Sequence, residues 1–152
     1  MRAKEVLVAQ LKACHNENTW FVSLLNSIKG LTEEQAVWKP TETTNSIFEI
    51  INHLIYYNQR YLNRFKDLDN PPKDEDNTFH NHEKLTWNEA VKRINDIMFE
   101  WKIVVQESDD KILNQWASSI AHLTIHTTYH AGQILYIRKL QGSWNPEDGV
   151  IG

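Results

Sequence analysis

Between Ser119 and Leu140 the chain reads SIAHLTIHTTYHAGQILYIRKL, and three histidines, His122, His126 and His130, fall four residues apart inside an apolar helical pattern. No other stretch constrains the fold as tightly, because imidazoles carried into a dry interior need partners there. Residues four apart on an α-helix share a face, with Cβ atoms about 5 to 6 Å apart, close enough for two imidazoles to meet one cation. At about 100° per residue, Ile120, Leu123, Ile134 and Ile137 define a stripe with His130 near its middle, His126 roughly 40° to one side and His122 roughly 80° away. The pair expected to face the core is therefore His126 and His130. One histidine on such a face reads as an ordinary hydrogen-bonded core residue. Two, among Ile, Leu and Thr, bring in the competing reading of a metal-binding helix.

The remaining chain supplies helices to pack against this one. From Lys4 to Ile28, Leu7, Leu11, Cys14, Phe21, Leu25 and Ile28 recur at helical spacing, which predicts one long amphipathic helix. Asn18 interrupts its stripe and reads as a polar residue in a loosely packed layer. Gly30 ends that helix, and Thr32 with Gln35 forms a capping box for a short turn closed by Pro40. Ser46 with Glu49 opens a second long helix carrying Ile47, Ile50, Ile51, Leu54, Tyr57, Tyr61, Phe65 and Leu68. His53 lies roughly 100° from its stripe centre, so periodicity alone makes it a bundle-edge histidine and not a ligand. Asp69 to Leu85 is polar, holds Pro71 and Pro72, and reads as a long connection whose His80 and His82 are solvated. Thr86 and Glu89 cap a third helix with Val91, Ile94, Met98, Trp101 and Val105 inward, ending near Glu107. The turn SDDKIL leads to the histidine helix, and Gly142 stops it. The expectation is all-α: a four-helix bundle with a long loop between helices 2 and 3, forming a single domain over residues 1–152.

Charge and cysteine usage narrow the function classes. The net charge of −4 comes from 16 basic and 20 acidic residues interspersed along the chain, with no Lys/Arg-rich run, so no nucleic-acid partner is expected. No stretch reaches the roughly 18 to 20 apolar residues of a membrane helix. Arg2, Lys4, Glu5 and Lys12 charge the amino-terminal segment, which has no signal-type apolar run, so a soluble cytoplasmic protein is expected. The single cysteine, Cys14, fits a reducing compartment and falls on a helical stripe, as a small buried hydrophobe would and a nucleophile would not.

Three segments resemble the DinB-like (DinB/YfiT-like) metalloenzyme family. GLTEEQAVWKP at Gly30 to Pro40 is similar to its Gly-Leu-Ser/Thr-x-x-Gln then Pro element. SIFEIINHLIYYNQRYL at Ser46 to Leu62 is similar to its helix that opens with Ser-Ile and bears a His-Leu pair. HTTYHAGQILYIRKLQG at His126 to Gly142 resembles its His-x-x-x-His-Arg-Gly-Gln-Ile run, followed by a basic residue and a helix-ending glycine. The resemblance implies a four-helix bundle, commonly dimeric, with one divalent metal held by His53, His126 and His130. Ala131 stands where the family often has Arg, which removes any role of that arginine in binding an anionic substrate. Gly132, in mid-helix, reads as a point where a neighbouring helix approaches closely.

Three neutral imidazoles leave at least one coordination position for water or substrate, as in catalytic zinc sites. Zinc or nickel is expected first, and cobalt, manganese and iron also suit such a donor set. Some members of the resembled family are thiol S-transferases, so the first expectation is an S-transferase using a low-molecular-weight thiol, with a hydrolase as the neighbouring chemistry. The rival is a non-catalytic metal- or ligand-binding, stress-related bundle protein. A ferritin-like di-iron protein needs Glu-x-x-His pairs on two helices, and neither the His53 helix nor the His130 helix has one. A small-molecule substrate and a homodimer complete the expected partners. The homodimer rests on the resemblance and on six Trp, more than one small core readily hides.

Overall fold

A computed structural model of the chain describes residues 2–73 and 77–151. Asp74 to Asp76, within the expected long connection, lie outside the described residues. Helices α1 (Ala3–His15), α2 (Leu24–Ile28), α3 (Glu33–Val37), α4 (Ile47–Phe65), α5 (Trp87–Glu107) and α6 (Asp110–Gln141) follow in order, with a 3₁₀ turn at Pro146–Asp148. No strand occurs among the described residues.

The first expected helix is broken. Instead of running from Lys4 to Ile28 it ends at His15, and an irregular segment separates it from α2. Asn16, Asn18 and Thr19 cause the break, since short polar side chains bond to nearby backbone and favour caps over helix interiors. The Asn18 carboxamide oxygen accepts from the Ser23 backbone N–H at 3.0 Å, the Ser23 hydroxyl at 3.3 Å and Asn26 Nδ2 at 3.0 Å. Asn18 thus organises the turn that leads into α2; it is not a polar residue in a loose layer. Trp20, on the same turn, is 96% exposed.

All three capping boxes form. Thr32 accepts from Gln35 N–H at 3.2 Å, Ser46 from Glu49 N–H at 3.1 Å and Thr86 from Glu89 N–H at 3.2 Å. Each cap stabilises its helix by about 1 kcal/mol relative to alanine. Two helix boundaries differ from the sequence reading. α4 stops at Phe65, before Leu68, as Asp67 takes φ 56° and turns the chain away. SDDKIL is not a turn: Asp109 caps α6 by accepting from Ile112 N–H at 2.8 Å, so Ser108 and Asp109 alone connect the helices. The resulting 32-residue helix spans about 48 Å. Gly142, at φ 76°, ends it in the left-handed conformation that glycine adopts without strain.

Packing closes a ring. α1 packs against α5 and α6, and α4 packs against the same two helices, so these four make the bundle. α2 and α3 brace it from outside, α2 on α6 and α3 on α4 and α5. The core includes Leu11, Leu24, Ile51, Leu54, Ile94, Trp101, Ile120 and Ile134. Two buried indoles are tied to backbone carbonyls: Trp101 Nε1 donates to Asn58 O at 3.2 Å, and Trp87 Nε1 donates to Leu31 O at 3.1 Å. Arg138 is buried and donates to Ser27 O at 2.9 Å and Lys29 O at 3.0 Å, satisfying carbonyls at the end of α2. The basic residue that follows the histidine motif is therefore structural in this chain. Cys14 is buried, and burial pushes its thiol up to about 12, far from any nucleophilic thiolate at neutral pH. No described helix is long and apolar enough to cross a membrane.

Candidate metal centre

The bundle brings one histidine from α4 and two from α6 to a common point. The Nε2 atoms of His53 and His126 are 3.0 Å apart, and those of His126 and His130 are 3.1 Å apart. The nearest ring nitrogens of all three lie within 4.8 Å of one another, a grouping that could hold a metal ion. His126 and His130 sit one helical turn apart on the inward face of α6, as the angular count predicts. His130 is 7% exposed and His126 is half-buried.

His53 is more enclosed than its helix position implies, at 9% exposure. The reason is the segment that carries Thr78 and Phe79. The Thr78 hydroxyl lies 2.7 Å from His53 Nδ1, and the Phe79 ring stacks on the imidazole with centroids 4.1 Å apart and planes 3° from parallel. Tyr57, one turn along α4, meets the His53 ring edge-on at 5.0 Å. A loop that lacks any helical period thus closes the α4 side of the cluster.

Hydrogen bonds set which ring nitrogens face inward. His130 Nδ1–H donates to Gln133 Oε1 at 2.7 Å, and a neutral imidazole carries one ring N–H, so its Nε2 presents a lone pair to the cluster. His53 Nδ1 lies 2.7 Å from the Thr78 hydroxyl, which can accept its N–H, and in that tautomer its Nε2 does the same. With both neighbours in that tautomer, only His126 has a proton to offer them, and one proton cannot satisfy both. Converging lone pairs at this spacing suit a cation. Tetrahedral zinc, with Zn–N bonds of about 2.0 to 2.1 Å, sets its nitrogens about 3.3 Å apart. The His53–His126 and His126–His130 separations of 3.0 and 3.1 Å are within a few tenths of an ångström of that, and the His53–His130 pair falls within the 4.8 Å that bounds the group.

Electrostatics keep the rings neutral. Burial, then the neighbouring His130 and His126, hold His53 down at about 4. Burial also lowers His126, helped by His130, and lowers His130 against the opposing hydrogen bond to Gln133. All three are deprotonated at pH 7, the state a metal requires.

Beside the cluster is a cavity of about 310 Å³ between α4 and α6, lined by Tyr57, Tyr61, Ser119, His122, Leu123 and His126. His122 is exposed on α6 and stays outside the three-histidine grouping. His80 and His82 also stay outside it; their rings are 4.7 Å apart, and His82 Nε2–H donates to Asn77 O at 3.0 Å. Ala131 is buried at 2% exposure, so the position of the family arginine faces the interior here. Gly132 marks no close helix approach within the chain: it is exposed, and a Cβ built on it meets nothing within 4 Å among the described residues.

Sequence reasoning missed Thr78 and Phe79. The one available signal was an aromatic residue inside an otherwise polar connection. Gln133 matched a family motif without acquiring a role, and the Nδ1 bond to His130 supplies one. Replacing Gln133 with Leu or Thr78 with Val is expected to weaken zinc binding about 10- to 100-fold while leaving helicity unchanged. Competition against a chromophoric chelator measures it, and unchanged affinity in both variants would show that these partners do not orient the ligands.

Comparison with curated proteins and with solved structures gave no match. Comparison with known families matched the DinB superfamily over residues 17–134. That span covers more than half of the chain and contains all three clustered histidines, and the protein therefore belongs to the DinB superfamily.

Proposed function

We propose that His53, His126 and His130 hold one divalent cation and that the protein is a metal-dependent enzyme acting on a small molecule. The observation that carries this reading is the donor set itself: three neutral imidazoles, no fourth His, Cys, Asp or Glu joining them among the described residues, and a cavity that shares His126 with the cluster. Three protein ligands plus an accessible position are the arrangement of catalytic rather than structural zinc. Zinc or nickel is the first expectation for a three-imidazole set. A divalent cation held by these three residues would lower the pKa of a ligated water or thiol towards neutrality. Thr78 and Gln133 hold two of the rings, and Phe79 and Tyr57 keep bulk water from the His53 side.

Thiol transfer is the reaction class we place first, on the family resemblance, with hydrolysis next. The test is conjugation of several low-molecular-weight thiols to an electrophilic dye by protein loaded with zinc or nickel. Metal-dependent turnover that chelator abolishes and His126→Ala lacks is the expected result. A cation bound at stoichiometry with no thiol turnover and no ester or amide hydrolysis would favour a non-catalytic binding protein.

We further propose a homodimer. Ile125, Tyr129, Tyr136 and Leu140 are each more than half exposed, and with Gly132 between them they follow the three- and four-residue spacing of a helix–helix seam along α6. Sedimentation at micromolar concentration is expected to give a dimer, and Tyr136→Glu a monomer that keeps its metal. A wild-type chain that sediments as a monomer would refute it.

A further inference from the structure

The cavity beside the cluster has a chemical character of its own. On α6 its lining runs from His126 back through Leu123 and His122 to Ser119, about 10 Å at 1.5 Å per residue. Tyr57 and Tyr61, a turn apart on α4, form the facing wall. No Asp, Glu, Lys or Arg lines it among the described residues. Its 310 Å³ is at the lower end of the roughly 300 to 1,000 Å³ typical of small-molecule sites. A charged group lying along this groove, away from the His126 end, loses water and gains no ionic partner from the walls, whereas an apolar ring loses only unfavourable hydration. Besides the two tyrosine hydroxyls of the α4 wall, the Ser119 hydroxyl and the His122 imidazole are the polar groups on α6 before His126.

Building on the three-histidine reading, we propose that the molecule reacting at that centre carries an uncharged, apolar body of about one ring's size. The body lies along the groove against Tyr57, Tyr61 and Leu123, and a hydrogen-bond acceptor at its far end meets His122 and Ser119. His122 is then a specificity residue, which accounts for an imidazole one turn from His126 that the ligand set leaves out. It orients the far end of the substrate and takes no part at the reacting atoms.

The experiment uses zinc-loaded protein and three metal-binding probes: acetohydroxamate, benzohydroxamate and benzohydroxamate with a para-carboxamide. Calorimetry is expected to show benzohydroxamate binding at least about tenfold tighter than acetohydroxamate, from burial of its ring. Ser119→Phe, which fills the groove, and Tyr61→Ala, which removes a wall, should each reduce that preference below about threefold and leave acetohydroxamate affinity unchanged. The para-carboxamide should add about fivefold in the wild type and nothing in His122→Ala. Acetohydroxamate binding with no gain from the ring, or a ring preference that survives Ser119→Phe, overturns the groove and leaves the metal centre standing. Failure of acetohydroxamate itself to bind zinc-loaded protein removes the accessible metal position, and the groove proposal falls with it.

Discussion

His130→Ala protein, purified without metal-affinity chromatography, is expected to hold less than about a tenth of the metal found in wild type. His53→Ala and His126→Ala should match it. Each change leaves two imidazoles, and even the loss of a residue that merely orients a ligand costs about 10- to 100-fold in affinity. His122→Ala, His80→Ala and His82→Ala should stay loaded, since none of these residues joins the grouping within 4.8 Å. Elemental analysis gives the metal content, and circular dichroism of each variant separates ligand loss from misfolding. The substitutions at the cluster remove polar rings from a partly enclosed site and leave the apolar core intact, so the helices should persist. An empty His122→Ala beside a loaded His130→Ala would mean that α6 presents His122 and His126 instead, and that the cluster described above is misassigned.

Which parts of this site the sequence could reveal follows from where each residue lies. His126 and His130 share one helix, and the 3.6-residue period places them on a common inward face without tertiary information. His53 differs. Its angular position on α4 makes it an edge residue, and only Thr78 and Phe79, contributed by a segment with no period, make it a buried one. The family resemblance pointed to it where periodicity did not. Capping boxes at Thr32, Ser46 and Thr86 were legible because they are local, with donor and acceptor three residues apart. The break after His15 is equally local, but the apolar spacing across Asn16 to Ser23 keeps a helical rhythm that outweighed the turn-forming asparagines. Gly132 failed for another reason. A mid-helix glycine signals either close packing or open surface, and sequence cannot choose between them; here it lies on the exposed stripe of α6.

Metal should raise the melting temperature, and the pH at which this benefit disappears should lie lower than an ordinary histidine would suggest. With free zinc at a thousand times its dissociation constant, binding to the folded chain alone adds about 4 kcal/mol, or about 8 to 16 °C for a protein of this size. Protons compete for the same nitrogens. In the unfolded chain each imidazole titrates near 6.5, whereas in the folded chain burial holds His53 at about 4 and keeps His126 and His130 below 6.5. Folded pKa values that are depressed mean that the metal-free fold binds fewer protons than the unfolded chain as pH falls. Its stability is therefore intact above about 6.5 and declines progressively towards pH 4. The zinc-linked increment follows the folded values, because the site accepts metal for as long as its rings stay neutral. Melting curves with zinc and with chelator, recorded from pH 7.5 to pH 4, should thus remain separated through pH 6 and converge on approaching pH 4. Coincident curves at pH 7.5 would mean that the folded chain gains nothing from metal, and convergence already complete at pH 6.5 would mean that the three imidazoles are not shielded as their burial implies.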